Sequence, residues 1–377
     1  MITRFHVENY KALRDVTLEL TPIHVLIGPN DSGKTSIFEA LTAFSRSTQQ
    51  DLNTAFGDRW QGRELVWKRL ANAIVKFGIS LREANDIEYE LSCRFVSESG
   101  RGGAIWVAEK IGETRNLSSS NQSFSVLSNQ WRTPNSPFHE VAKAIREGLV
   151  PLQSYRWVPS LLSVPVAFGV FQRYQMESTG FGLPLVLDDI VREDHTRFAK
   201  LEQRFREVFP YIKTIKLPRE QGFRTWRDQN PQGPGVGLYF ELANGAGILP
   251  AAHASDGLLL VLAYLALLYL PEPPRILLIE EPENGIHPQG VKKVLSMLRE
   301  MVREQNRTQV LLTTHSPYVV DCFEPGEVTL CFKGEDGAVT AHRLSDSRAI
   351  REQIDIFQLG EIWTAEGDEA LATAGAG

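Results

Sequence analysis

One octapeptide constrains this chain more than anything in its bulk composition. Gly28-Pro29-Asn30-Asp31-Ser32-Gly33-Lys34-Thr35 fits the pattern GxxxxGK[ST], and it stands between an apolar run, Ile23 to Ile27, and helix-forming residues from Lys34 to Phe44. A turn of this kind needs a buried strand delivering the chain and a helix receiving it, so the chain is expected to be α/β. The glycines let backbone N–H groups face inward around phosphate oxygens, and the helix start adds a partial positive charge of about +0.5. Gly28, Asn30, Ser32, Gly33, Lys34, Thr35 and Ser36 are the candidate phosphate-binding residues. Lys34 is expected to reach the β- and γ-phosphates of a nucleotide, and the Thr35 hydroxyl to hold Mg2+.

Three further elements lie far downstream. Ile276-Leu277-Leu278-Ile279 reads as a central strand that runs directly into Glu280-Glu281-Pro282-Glu283. Consecutive strand residues point to opposite faces, so the adjacent carboxylates are expected to divide the labour: Glu280 at the metal, Glu281 orienting and polarising a water. Thr313-Thr314-His315-Ser316-Pro317 closes the next buried run, where His315 can sense a γ-phosphate by hydrogen bonding. Ser255-Asp256-Gly257 opens an apolar helix, and Ser255 with Gly257 offers a hydroxyl and N–H groups to a second anion. A chain that already has one phosphate cradle has use for another if it serves the nucleotide of a second subunit.

The rest of the sequence supplies organisation. Strands are expected at Phe5 to Val7 and Val16 to Leu20, and antiparallel strands within Ala73 to Val107. Ser118 to Pro137 reads as a surface loop or lobe boundary, Phe138 to Phe209 as mainly helical apart from Pro159 to Pro165, and the end as a hairpin around Gly334 to Gly337 with a polar tail. The expected division is a nucleotide-binding lobe, 1–134 with 271–377, and a helical lobe, 135–270. The longest apolar stretch, Leu258 to Pro271, is shorter than the roughly 20 residues of a membrane span, and the first residues show no export signal, so the cytoplasm is expected. Cys93, Cys322 and Cys331 form no CxxC pair and read as packing residues. The net charge of −6 excludes a generally basic coat but leaves room for a local one. Arg192 to Arg227 carries Arg197, Lys200, Arg204, Arg206, Lys213, Lys216, Arg219 and Arg224, a candidate DNA-binding segment or a solvated helix face.

In chain order these elements resemble the ABC ATPase superfamily, with Walker A at 28–35, signature at 255–257, Walker B and catalytic glutamate at 276–281, and switch histidine at 315. Within it the chain looks most like the RecF/SMC-related branch, especially the ATPase half of the overcoming-lysogenisation-defect (OLD) nucleases. Phe5-His6-Val7-Glu8-Asn9-Tyr10-Lys11-Ala12-Leu13, Glu280 to Pro288, and Leu359-Gly360-Glu361-Ile362-Trp363 carry that likeness. The resemblance implies a mixed central sheet flanked by helices, an antiparallel β portion and an inserted mainly helical lobe. It also implies ATP and Mg2+ as cofactors and a head-to-head homodimer, with a higher oligomer left open, that clamps two nucleotides. Two departures stand out: Glu280 replaces the usual Walker B aspartate, and Asp256 a signature glycine. Gln153 and Gln172 are the nearest candidates for a Q-loop, and neither is chosen. The OLD nucleases continue into a TOPRIM nuclease domain that would begin where this sequence ends, so a separate nuclease subunit is expected, in DNA repair or anti-phage defence. A scaffold that restrains a toxin-like effector and the energy subunit of a membrane transporter are the competing functional classes.

Overall fold

The computed structural model describes residues 1–57, 62–82, 86–98, 101–112, 115–117, 124–305 and 307–373. The chain divides into two compact units: 1–153 with 274–278 and 307–377, and 154–273 with 279–306.

The first unit contains one six-stranded sheet and most of a second. One runs β2 (Leu13–Glu19), β1 (Ile2–Tyr10), β4 (Ile74–Leu81), β5 (Ile87–Glu98), β6 (Arg101–Ile111), β7 (Arg115–Leu117), every pair antiparallel. Burial alternates along β4, with Val75, Phe77, Ile79 and Leu81 buried and the residues between them half-buried, as one-sided packing of a pleated strand demands. The other sheet is β18 (Val339–Arg343), β17 (Val328–Lys333), β3 (Ile23–Ile27), β16 (Gln309–Thr313), β15 (Ile276–Glu280), β8 (Leu152–Tyr155). Here β3 lies between β16 and β17 and is parallel to both. All five residues of β3 are buried; four are apolar, and the fifth, His24, is buried with hydrogen-bond partners for both ring nitrogens.

The helix Lys34–Ser47 presents Ile37, Phe38, Leu41 and Phe44 to the antiparallel sheet. Phe44 is its anchor: the ring stacks on Phe77 at 5.6 Å and on Tyr89 at 5.7 Å between centroids. Gln309 joins the two sheets through its side chain. Its amide carbonyl accepts from Ile2 N (3.0 Å), and its NH2 donates to Ile2 O (2.8 Å) and Thr21 O (3.0 Å), so a buried amide is fully used.

His24, on β3, is wholly buried between Thr21 Oγ1 (3.0 Å) and Thr329 Oγ1 (2.8 Å). Burial, with the Arg343 charge adding to it, lowers its pKa from 6.5 to about 3. The unfolded chain therefore takes up a proton below pH 6.5 that the folded chain refuses until about pH 3. Stability attributable to this residue should fall as the pH drops through that window, by about 1.4 kcal/mol per pH unit. Urea titrations of the wild type and His24→Gln check this; curves that stay parallel between pH 6.5 and 4 would show that His24 does not titrate in this way.

The second unit holds two three-stranded antiparallel sheets. They are β11 (Arg219–Gly222), β12 (Gly233–Val236), β9 (Val166–Ala167), and β10 (Ile212–Lys216), β13 (Tyr239–Leu242), β14 (Ile248–Pro250). With them are helices Leu183–Glu193, His195–Val208, Asp256–Leu268 and Pro288–Gln305. Every residue of Asp256–Leu268 from Leu258 onward is buried, so this helix is apolar all round and central to its unit.

Most expected elements are present, with two differences. The break expected in the helical stretch at Pro159 to Pro165 is wider, running from 150 to 182, where β8, β9 and a short helix Pro159–Leu162 occur. Proline and glycine punctuate that stretch, and the run of apolar residues there is too short to tell strand from helix. The expected polar tail is helical over Leu359–Thr373, with Leu359, Ile362 and Leu371 buried. Cys93 and Cys331 are buried packing residues, and burial pushes both thiols up, Cys331 to about 12. Of the expected loop Ser118 to Pro137, residues 118–123 lie outside the described residues; a short helix, Leu127–Gln130, occurs in the remainder. Among the described residues no helix is long and apolar enough to cross a membrane.

Candidate functional site

In the first unit the phosphate loop leaves β3 at Ile27 and enters the helix Lys34–Ser47. Gly28 adopts φ +131°, and a Cβ there would lie 2.0 Å from Cys331 O on the neighbouring strand β17. Gly33 adopts φ +92°, and a Cβ would lie 2.4 Å from Val339 Cγ2 on β18. Both glycines are required by backbone conformation and by the closeness of the β17–β18 hairpin. Asp31, also in the left-handed region at φ 65°, ion-pairs with Lys333 Nζ at 2.7 Å from the same hairpin. Lys34 is buried at 7% exposure, its Nζ donating to Gly28 O (2.8 Å), Pro29 O (2.8 Å) and Ser32 Oγ (3.1 Å). An ammonium held among neutral oxygens at a helix start attracts anions strongly. Asn30 and Thr35 are exposed, Ser36 is half-buried, and Ser32 is buried.

His315 arrives at the same end of the sheet. Thr313 on β16 is in register with Leu26 on β3, and Thr314 N donates to Leu26 O at 3.1 Å, so the chain leaves β16 level with the start of the phosphate loop. Thr314 Oγ1 then accepts from Ser316 N (3.0 Å), shaping the turn that presents His315 half-exposed. The first unit thus brings together the expected loop residues and the expected histidine. It also contains Gln153, on β8 beside β15. Gln172 belongs to the second unit.

The second unit carries the carboxylates and the signature. Glu280 closes β15, and Glu281 turns at once into the left-handed region, φ 51°, a conformation that costs a non-glycine residue about 1–3 kcal/mol. Asn284 braces it: Nδ2 donates to Glu281 Oε2 at 2.5 Å and the backbone N to Glu281 O at 3.0 Å. Glu280 and Glu281 line a cavity of about 350 Å³ within this unit, together with Trp157 and Tyr264, whose ring centroids lie 4.6 Å apart. Ser255 caps the helix Asp256–Leu268 without a side-chain capping bond and is exposed, so its hydroxyl faces outward. Gly257 is half-exposed, and a Cβ there would make only an ordinary contact, 3.4 Å from Gly285 O; space alone does not require this glycine.

The basic segment is largely ion-paired. Arg204 forks onto Glu300 (2.7 and 2.5 Å) and Arg219 onto Asp188 (3.0 and 2.9 Å). Arg192 also reaches Asp188, Arg206 reaches Glu202, and Lys213 and Lys216 share Glu241. Arg224 and Arg227 instead stand in the turn between β11 and β12, flanking Trp226, which is 41% exposed with the Arg227 guanidinium 4.8 Å from its ring centre.

Among the described residues no group of three or more His, Cys, Asp or Glu could hold a metal ion.

Residues 23–321 match the protein family described as "AAA domain, putative AbiEii toxin, Type IV TA system". The chain is 22% identical to the OLD nuclease of Thermus scotoductus (strain ATCC 700910 / SA-01), over 98% of its own length and 70% of that protein's. Among solved structures it is similar to an SMC head bound to the C-terminal winged-helix domain of ScpA, with TM-score 0.54 and 13% identity, covering 90% of this chain and 96% of that one.

Proposed function

The chain belongs to the AAA-domain family of that description, in the RecF/SMC/OLD branch of ABC-type ATPases, and from this premise we propose that it binds and hydrolyses ATP as a homodimer that gates nucleic-acid processing. The observation that carries the ATP reading is the phosphate loop: two sterically obligatory glycines, a buried lysine held at the loop mouth, and His315 delivered beside them by β16. In this reading Lys34 and the loop hold the phosphates, Thr35 and Glu280 hold Mg2+, Glu281 orients and polarises the attacking water, and His315 bonds the γ-phosphate. Mg2+ supplies Lewis-acid stabilisation of the charge that develops on the phosphoryl oxygens. Ser255 and Gly257 of one copy close over the nucleotide of the other, so ATP binding and dimerisation form one linked equilibrium.

The likeness to an OLD nuclease supports a nucleic-acid target, with a nuclease subunit as partner. DNA contact is assigned to the Arg192–Arg227 segment, centred on the turn with Arg224, Trp226 and Arg227, where arginine and an exposed ring can meet phosphate and base. The family description favours one alternative, a nucleotide-held scaffold that restrains a toxic effector. Affinity purification of Glu281→Gln from the native host with ATP present separates the two. Protected DNA or a nuclease subunit, released by salt with a log–log slope of about −0.9 per phosphate contacted, is expected. An inhibited toxin-like protein without DNA would instead establish the scaffold.

A further inference from the structure

The first unit displays three large apolar side chains at one place. Tyr318 is 63% exposed, Ile356 75% and Phe357 51%. Tyr318 lies in the short helix Pro317–Val320, directly after the His315 turn; Ile356 and Phe357 lie just before the helix Leu359–Thr373. These two helices meet backbone to backbone. A Cβ on Gly360 would lie 2.3 Å from Pro317 O, and Gly360 N donates to Asp321 Oδ1 at 2.8 Å. All three exposed side chains are within four residues of that contact in sequence, while Leu359, Ile362 and Val320 are buried beneath it. The burial of those neighbours leaves the exposed three outside the core that anchors the helices.

The surroundings are acidic. Residues 352–369 contain Glu352, Asp355, Glu361, Glu366, Asp368 and Glu369 and neither lysine nor arginine. Arg348, which pairs with Glu352, and Arg351 stand directly before this run, which remains acidic on balance. Exposed apolar side chains beside a run that is acidic on balance mark a binding surface. The sign of that charge chooses among occupants. A second copy docked face to face would set like carboxylates against one another, and an anionic lipid surface would be repelled.

We propose that the edge formed by Tyr318, Ile356 and Phe357 docks a different protein, through an apolar anchor surrounded by lysine or arginine. The proposal rests on the reading above only in making that protein the effector subunit. Because Tyr318 stands three residues after His315, the occupant sits next to the segment assigned to sensing the γ-phosphate.

The test uses the purified full-length chain and a fluorescent amphipathic helix peptide of leucine and lysine, with a leucine and glutamate peptide of the same pattern as control. The lysine peptide should bind, and more weakly as salt rises, whereas the glutamate peptide should not. Ile356→Ser with Phe357→Ser, and separately Tyr318→Ser, should weaken the lysine peptide by about tenfold or more, as loss of an interface anchor does. Unchanged thermal melting would establish that both variants fold, as expected for exposed positions. Equal binding to wild type and variants, equal binding of both peptides, or a concentration-dependent dimer that the serine substitutions abolish would each overturn the proposal, the last by assigning the surface to a second copy. Binding of a fluorescent ATP analogue is measured in parallel. Its failure would sink the ATP reading and leave the peptide result standing.

Discussion

Glu281→Gln should lower ATP hydrolysis by about 10²–10⁴-fold, the range over which a positioned general base contributes, while ATP affinity stays within about threefold. The substitution removes the charge that polarises water but keeps an oxygen able to accept from Asn284 Nδ2, so the brace on the left-handed turn survives. Blocked turnover should also accumulate the ATP-bound dimer on size exclusion. Hydrolysis within a few-fold of wild type would mean that Glu281 is not the base.

Gly28→Ala attacks the other end of the chemistry. Its methyl would sit 2.0 Å from Cys331 O, a backbone atom that cannot swing aside as a side-chain tip can, and alanine would hold φ +131° poorly. Strain and overpacking together should cost about 2–6 kcal/mol. Because relief requires the phosphate loop or the β17–β18 hairpin to move, the urea midpoint and ATP affinity should fall together. Loss of affinity at full stability would mean that the loop relaxes independently of the hairpin; full retention of both would contradict the packing described.

The elements read most easily were those with one dominant local signal. β3 was predicted from Ile23 to Ile27 and occupies those residues because four of its five side chains are apolar and suit a fully buried strand, while the partners that let His24 be buried there come from Thr21 and the distant Thr329. The glycine pattern identified the phosphate loop, but its reason, a hairpin some 300 residues later pressing on Gly28 and Gly33, is a tertiary fact that no local window contains. The same holds for Glu281. Its place beside Glu280 was visible, whereas the left-handed turn and the brace by Asn284 depend on how 282–286 folds back. The basic segment shows the opposite case. Its positive residues were plain to read, but the acids that hold several of them, Glu241 for Lys213 and Lys216 and Glu300 for Arg204, lie beyond the segment. The last helix was missed because its buried residues, Leu359, Ile362 and Leu371, are sparse among acids, alanines and glycines.

The place of β3 between β16 and β17 bears on how the protein is made. Ile23 pairs with Val310 and Val25 with Val328, so both hydrogen-bonding flanks of the strand that carries the phosphate loop are synthesised nearly 300 residues after it. At about 5–20 residues per second that is a delay of roughly 15–60 s on the ribosome. Throughout it the nascent chain carries a mainly apolar five-residue strand without its neighbours, and Gly28 without the hairpin that shapes the loop. Nucleotide cannot assist folding of the early part of the chain; it becomes a ligand only after β17 has been made. A nascent-chain arrest series should therefore gain ATP-dependent protease resistance abruptly, once β17 has cleared the exit tunnel.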